Sequence, residues 1–114
     1  MSIREQMRKG TTVVIILNLL AEADRPMYGY EIIQELESRS QGYFRFKEGL
    51  IYPRLHELER QGFLRSEWQG EKGSRRRKFY TITTAGRRRL EEELQGWQSF
   101  THHINQLLGV ETAR

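Results

Sequence analysis

The chain concentrates its cations. Between residues 60 and 90 stand ten bases, Arg60, Arg65, Lys72, Arg75, Arg76, Arg77, Lys78, Arg87, Arg88 and Arg89, opposed there only by Glu67 and Glu71. That segment is +8, whereas the rest of the chain, with nine bases against thirteen acids, is −4; the net +4 conceals the division. Guanidinium and ammonium groups at this density pair well with the oxygens of a polyanion, and nucleic acid is the foremost candidate. A solvated charge run is the plain alternative for such a patch taken alone. Its position argues against that, because the basic loop Lys72-Gly73-Ser74-Arg75-Arg76-Arg77-Lys78 follows closely on a helix suited to reading a groove.

That helix spans Glu48 to Gly62. Ile51, Leu55 and Leu58 recur at helical spacing and face a core. The opposite face carries Gly49, Pro53, His56, Glu57 and Arg60, with little apolar bulk and several hydrogen-bonding groups. Pro53 falls in the first turns, where a missing N–H does least harm, and Gly62 supplies the C-terminal stop. Two strands follow, from about Phe63 to Gln69 and from Phe79 to Thr83, rich in aromatic and β-branched residues. A helix for the major groove followed by a basic hairpin for the backbone is what a winged helix-turn-helix requires.

Other chemistries lack their residues. Without cysteine there are no disulfides and no thiolate ligands. His56, His102 and His103 are scattered, and the adjacent pair projects about 100° apart on a helix, so it cannot chelate as an i, i+4 pair would. No Gly-rich phosphate loop precedes a helix, and no serine lies in a nucleophile-elbow pattern. No catalytic site, metal or cofactor is expected.

The elements that must position the basic residues are legible in outline. A length of 114 residues, 37% hydrophobic and 30% charged, fits one folded domain. A first helix runs from about Ile3 to Glu22 and is apolar nearly all round, so it must be buried on more than one side, with a second subunit as the natural cover. Its run from Val13 to Leu20, interrupted by Asn18, is too short to span a bilayer and lacks the surroundings of a signal peptide; a cytoplasmic location is expected. Asp24-Arg25-Pro26 breaks the helix. A second helix runs from about Tyr28 to Arg39 with Ile32, Ile33 and Leu36 inward, ended by Gln41-Gly42. After the hairpin, Thr83 or Thr84 can cap a last helix from about Ala85 to Leu108. In it Leu90, Leu94, Trp97, Thr101, Ile104 and Leu108 form a heptad seam broken only by Thr101, which calls for a helical partner along its length. The expected fold is mainly α with a small β-hairpin: a winged helix-turn-helix over residues 1–83 and a dimerisation helix over 84–114, forming one compact unit.

Three blocks, taken in order, carry a resemblance: Met27-Tyr28-Gly29-Tyr30-Glu31-Ile32; Glu48-Gly49-Leu50-Ile51-Tyr52-Pro53 with Leu55, Leu58, Glu59 and Gly62; and Arg77-Lys78-Phe79-Tyr80 with Ile82, Thr83 and Gly86. Together they closely resemble the PadR family of transcriptional regulators, over nearly the whole chain from about residue 10. The resemblance implies a winged-helix homodimer that binds operator DNA and usually represses, in the compact branch with a single C-terminal helix. Some compact members bind flat hydrophobic drugs or dyes at the dimer interface between tryptophans of the last helix, and Trp97 stands at the matching position. Two positions depart from the family pattern: Leu50 replaces a small or hydroxyl residue, and Glu57 a frequently basic one.

The candidate DNA contacts are therefore Tyr52, Pro53, Arg54 and His56 on the third helix, Tyr28 and Tyr30 near the start of the second, and Lys72, Arg75, Arg76, Arg77 and Lys78 in the wing. Arg4, Arg8 and Lys9 could add backbone contacts. Strand alternation turns some wing cations away from any one partner. Trp97 reads either as interface core or, with its mate, as one face of a stacking pocket for a planar hydrophobic effector, with Val14, Ile15, Asn18 and Phe100 as walls. A winged-helix module for protein–protein contact is the alternative function, and it would need no basic wing.

Overall fold

A computed structural model describes the backbone of residues 3–70 and 75–110, with side chains described from residue 11 onward. In chain order the elements are α1 (Ile3–Ala23), β1 (Met27–Tyr28), α2 (Gly29–Arg39), α3 (Glu48–Arg60), β2 (Leu64–Gln69), β3 (Arg77–Ile82) and α4 (Thr84–Leu108). The sheet is antiparallel in the order β1-β3-β2. The expected hairpin is present, and β1 extends it with the pairs Met27↔Tyr80 and Tyr28↔Phe79. Two residues are too few to show alternation, so this strand left no sequence signal.

The apolar stripes meet in one core. Ile16, Leu17, Leu19 and Leu20 of α1 are buried with Ile32, Ile33 and Leu36 of α2, Ile51, Leu55 and Leu58 of α3, and Leu64, Tyr80 and Ile82 of the sheet. Helix α1 is the hub, touching α2, α3, β3 and α4. Its all-round apolar character is thus largely accounted for within the chain, rather than by a second subunit alone. The break after α1 is made at Asp24, whose φ of +50° takes it into the left-handed region, tolerated by aspartate better than by most residues. Its carboxylate then pairs with Arg87 at 2.9 Å, fastening the end of α1 to α4. Pro53 lies deeper in α3 than its first position. It withholds a donor from the Gly49 carbonyl, and Gly49 is exposed, so solvent can serve that group.

One junction joins three elements. Thr83 caps α4 by accepting from the Gly86 N–H at 3.0 Å. Its hydroxyl donates to the Gly62 carbonyl at 2.7 Å, and its own N–H donates to the Phe63 carbonyl at 3.1 Å. Gly86 is packed so closely that a β-carbon there would lie 2.2 Å from the Phe63 carbonyl oxygen and 2.7 Å from Ile82 Cγ1. The exit of α3, the base of the hairpin and the entry of α4 are therefore tied together.

Beyond this junction α4 leaves the core. Gly86 and Leu90 are buried and Leu94 and Trp97 half-buried, but Phe100, Leu107 and Leu108 are 58%, 84% and 69% exposed. Gly86→Ala should cost about 1–3 kcal/mol, because backbone must move to admit the methyl group. Thr83→Ala should cost about 1 kcal/mol through removal of the cap. Urea unfolding measures both, and a Gly86→Ala midpoint equal to that of the parent would contradict the packing described.

Candidate nucleic-acid interface

Helix α3 turns Ile51, Leu55 and Leu58 inward, which leaves Gly49, Pro53, His56 and Arg60 exposed on its outer face. Tyr52 and Arg54 flank that face, both half-buried. Arg54 pairs with Glu57 at 3.1 Å, a half-exposed i, i+3 pair that is weak enough to exchange for another partner. The Tyr52 ring lies against the start of α2, where a β-carbon on Gly29 would approach its Cε1 to 2.3 Å. Burial, then the nearby Glu48 carboxylate, pushes the Tyr52 hydroxyl above the usual phenol range, so it remains a neutral donor.

The register divides the wing cations between two faces. Ser66 pairs with Tyr80 and Trp68 with Lys78. Lys78 makes a 2.9 Å ion pair with Glu59 of α3, and Ser66 also donates to the Glu59 carboxylate. Ser66, Trp68, Lys78 and Tyr80 therefore lie on the side facing α3, and the Arg76 guanidinium reaches the same side, 5.8 Å from the Trp68 ring centre. Arg77 goes to the other side, 4.6 Å over the Tyr28 ring, which itself meets Phe79 edge-on at 5.4 Å. Tyr30 and Arg75 are exposed. Lys72 lies outside the described residues, as do the side chains of Arg4, Arg8 and Lys9. Among the described residues no carboxylate pairs with Arg60, Arg65, Arg75, Arg76 or Arg77.

A second feature lies on the opposite side of α1. Thr11, Val14, Ile15, Asn18 and Leu19 of α1, Leu36, Arg39, Ser40, Phe44 and Phe46 of α2 and its connector, and Leu94 and Trp97 of α4 line a cavity of about 420 Å³. Its walls are mostly apolar, with Asn18, Arg39 and Ser40 as polar points. Arg39 is held by Glu22 at 2.5 Å and Glu35 at 3.3 Å, and Asn18 donates to Glu22 at 3.1 Å. The structure brings four of the expected wall residues together here: Val14, Ile15, Asn18 and Trp97. Phe100 stacks beside Trp97, ring centres 6.1 Å apart, but does not line the cavity.

The segment that carries α3 and the wing matches a known family. The description of the PadR-like transcriptional regulator family fits residues 16–92. The chain belongs to that family. A transcriptional regulator of Mycobacterium tuberculosis is 33% identical over 99 residues, covering 86% of this chain and 89% of that protein. The crystal structure of a PadR family transcriptional regulator from Eggerthella lenta superposes with a TM-score of 0.82 at 31% identity, covering 96% of this chain and 91% of that one. Bacillus subtilis PadR in complex with operator DNA superposes with a TM-score of 0.65 at 26% identity, over 74% of this chain and 47% of that one. No helix among the described residues is long and apolar enough to cross a membrane.

Several members of these sites carry no signal of their own in the sequence. Glu59 and Ser66 look like ordinary surface residues until the register places them beside Lys78. Arg39, Phe44 and Phe46 reach the cavity only because the connector folds back under α1; the alternation Phe44-x-Phe46 is the one local hint. Hydrogen bonding from Ser66, opposed by burial and helped by Lys78, holds the Glu59 carboxyl below the usual carboxylate range. A depressed folded-state value means that the latch formed by Glu59 with Ser66 and Lys78 stabilises the PadR-like fold above the ordinary carboxylate pKa and ceases to do so as pH falls through the lowered one. Glu59→Gln should therefore lower stability near neutrality and flatten its decline on acidification. Thermal unfolding between neutral and acidic pH measures this, and the same decline in parent and variant would show that the latch contributes nothing.

Proposed function

We propose that this PadR-like chain is a homodimeric, sequence-specific DNA-binding repressor, working in the cytoplasm, with a winged helix-turn-helix over residues 1–83 and a dimerisation helix from 84 onward. The supporting observation is the exposure of the outer face of α3 together with wing arginines that meet no carboxylate among the described residues. Pro53, His56 and Arg60 stand exposed on a helix free to enter a major groove, while Arg75 and Arg76 stand exposed in the wing with no carboxylate partner among the described residues. Tyr52 and Arg54 flank the reading face. Tyr28, Tyr30 and Arg77 cluster near the α2 N-terminus, where backbone N–H groups favour a phosphate. Lys78 is better suited to hold the wing than to meet DNA, since Glu59 neutralises it. Lys72 belongs to the same proposed set by its place in the sequence. Catalysis has no part in this reading.

The second copy is supported by α4. Among the described residues Phe100, Leu107 and Leu108 stand exposed along it, and a mate's α4 would bury them in coiled-coil fashion. The cavity supports a response to a planar hydrophobic molecule. Its volume suits a drug-sized ligand, its walls are apolar, and Trp97 offers a stacking face. With the mate's Trp97 as the opposite face, one ligand per dimer is expected. Its occupation would bear on both α4 and the α2–α3 connector, and so on the separation of the two α3 helices.

Three measurements check this reading. A duplex selected by the chain from a random library should bind with a steep salt dependence. Arg75→Gln with Arg76→Gln should reduce the log–log slope by about 0.9 for each phosphate no longer neutralised, whereas Lys78→Gln should lower thermal stability more than the slope. An unchanged slope in the double arginine variant would contradict a backbone-binding wing. In sedimentation the parent should run as a dimer at micromolar concentration, and Ile104→Asp with Leu108→Asp should run as a folded monomer; a monomeric parent would overturn the dimer. Finally, a panel of planar aromatic dyes should include members that quench fluorescence in the parent and in Trp68→Phe but not in Trp97→Phe. A micromolar Kd, about −8 kcal/mol, is within reach of two stacks plus burial. No Trp97-dependent quenching across the panel would remove the ligand response.

A further inference from the structure

We infer that Trp68 and Arg76 form a minor-groove contact that selects A·T-rich sequence flanking the bases read by α3; this rests on the operator-binding reading above. Trp68 is 57% exposed, although it lies within a regular strand of the sheet. Its position is not loose. It is opposite Lys78 in the ladder, and Lys78 is fastened to Glu59 of α3. That pairing places the indole on the α3 side of the wing, beyond the point where Ser66 and Lys78 have been used to close the latch. The indole and Arg76 project from that face, with the guanidinium 5.8 Å from the ring centre. Among the described residues no carboxylate holds Arg76 back.

With α3 in a major groove, this face of the wing is turned toward the sugar-phosphate ridge and the minor groove next to it. A guanidinium is drawn to the enhanced negative potential of a narrow A·T-rich minor groove. An apolar ring can lie along sugars or wedge at a base step in the same groove. Trp68 supplies the ring and Arg76 the charge, 5.8 Å from its centre. Arg75, exposed next to Arg76, adds positive charge at this end of the wing, whereas Arg65 and Arg77 lie on the opposite face of the hairpin. An acidic protein surface would meet the same field, but it would show no preference among flanking base pairs.

The chain has two tryptophans, so Trp97→Phe makes Trp68 the sole reporter. The duplex selected by the chain is prepared with its flanks set to A·T or to G·C. Tighter binding of the A·T-flanked duplex is expected, with a clear change in Trp68 emission at saturation. Trp68→Ala should weaken that duplex roughly tenfold, or about 1.4 kcal/mol, and bring the two flanks level, while Trp68→Phe should recover most of the preference. Saturable binding with unchanged Trp68 emission, or parental affinity and preference in Trp68→Ala, would overturn the inference while leaving operator binding intact. Failure of the parent to select any duplex would overturn both.

Discussion

The structure depends on the close approach of Gly86 to the Phe63 carbonyl. A side chain at residue 86 would hold α4 away from the base of the hairpin, and the Thr83 hydroxyl could not then bridge to both Gly62 and Gly86. Because the contact is so short, the end of α3, the root of the wing and the start of α4 behave as one piece. The Asp24–Arg87 pair adds the end of α1 to the same piece. In the proposed ligand response, a displacement of α4 would reach the helix that presents Pro53 and His56 through this junction. The cavity lies where such a displacement could begin, between α1, the α2–α3 connector and the Leu94–Trp97 turn of α4.

Electrostatics divides labour among cations that look equivalent in sequence. Lys78 is consumed internally by Glu59, Arg54 is partly satisfied by Glu57, Arg87 holds Asp24 and Arg89 holds Glu93. Arg77 leans on the Tyr28 ring. Among the described residues, what remains for a polyanion is a smaller set, Arg60, Arg65, Arg75, Arg76 and Arg88. The net charge of the segment thus overstates the number of residues free to neutralise phosphates, while the internal pairs set the wing at a fixed angle to α3.

Much of this is legible in the residues. The α3 stripe, the two long strands, the cap at Thr83 and the length of α4 follow from periodicity and from capping chemistry that act within a few residues. The family blocks put the hairpin directly after α3, as the structure does. Less legible are features that depend on register or on distant chain segments. The two-residue β1 needs β3 beside it to exist. The Glu59–Ser66–Lys78 latch and the two faces of the wing need the pairing of Trp68 with Lys78. Helix α1 suggests an intersubunit role through its apolar circumference, yet its own chain covers most of it. The cavity wall from Arg39 to Phe46 arises from the path of a connector, on which local pattern is silent.

Hydroxyl-radical footprinting of the selected duplex bears most directly on the central claim, that two copies of this chain read DNA through α3 and the wing. A pair of protected regions related by two-fold symmetry is expected, with centres about 34 Å apart or a multiple of that. Added protection should extend into the minor groove on the outer side of each region. One unpaired protected region, or protection spread evenly along the duplex, would contradict the account.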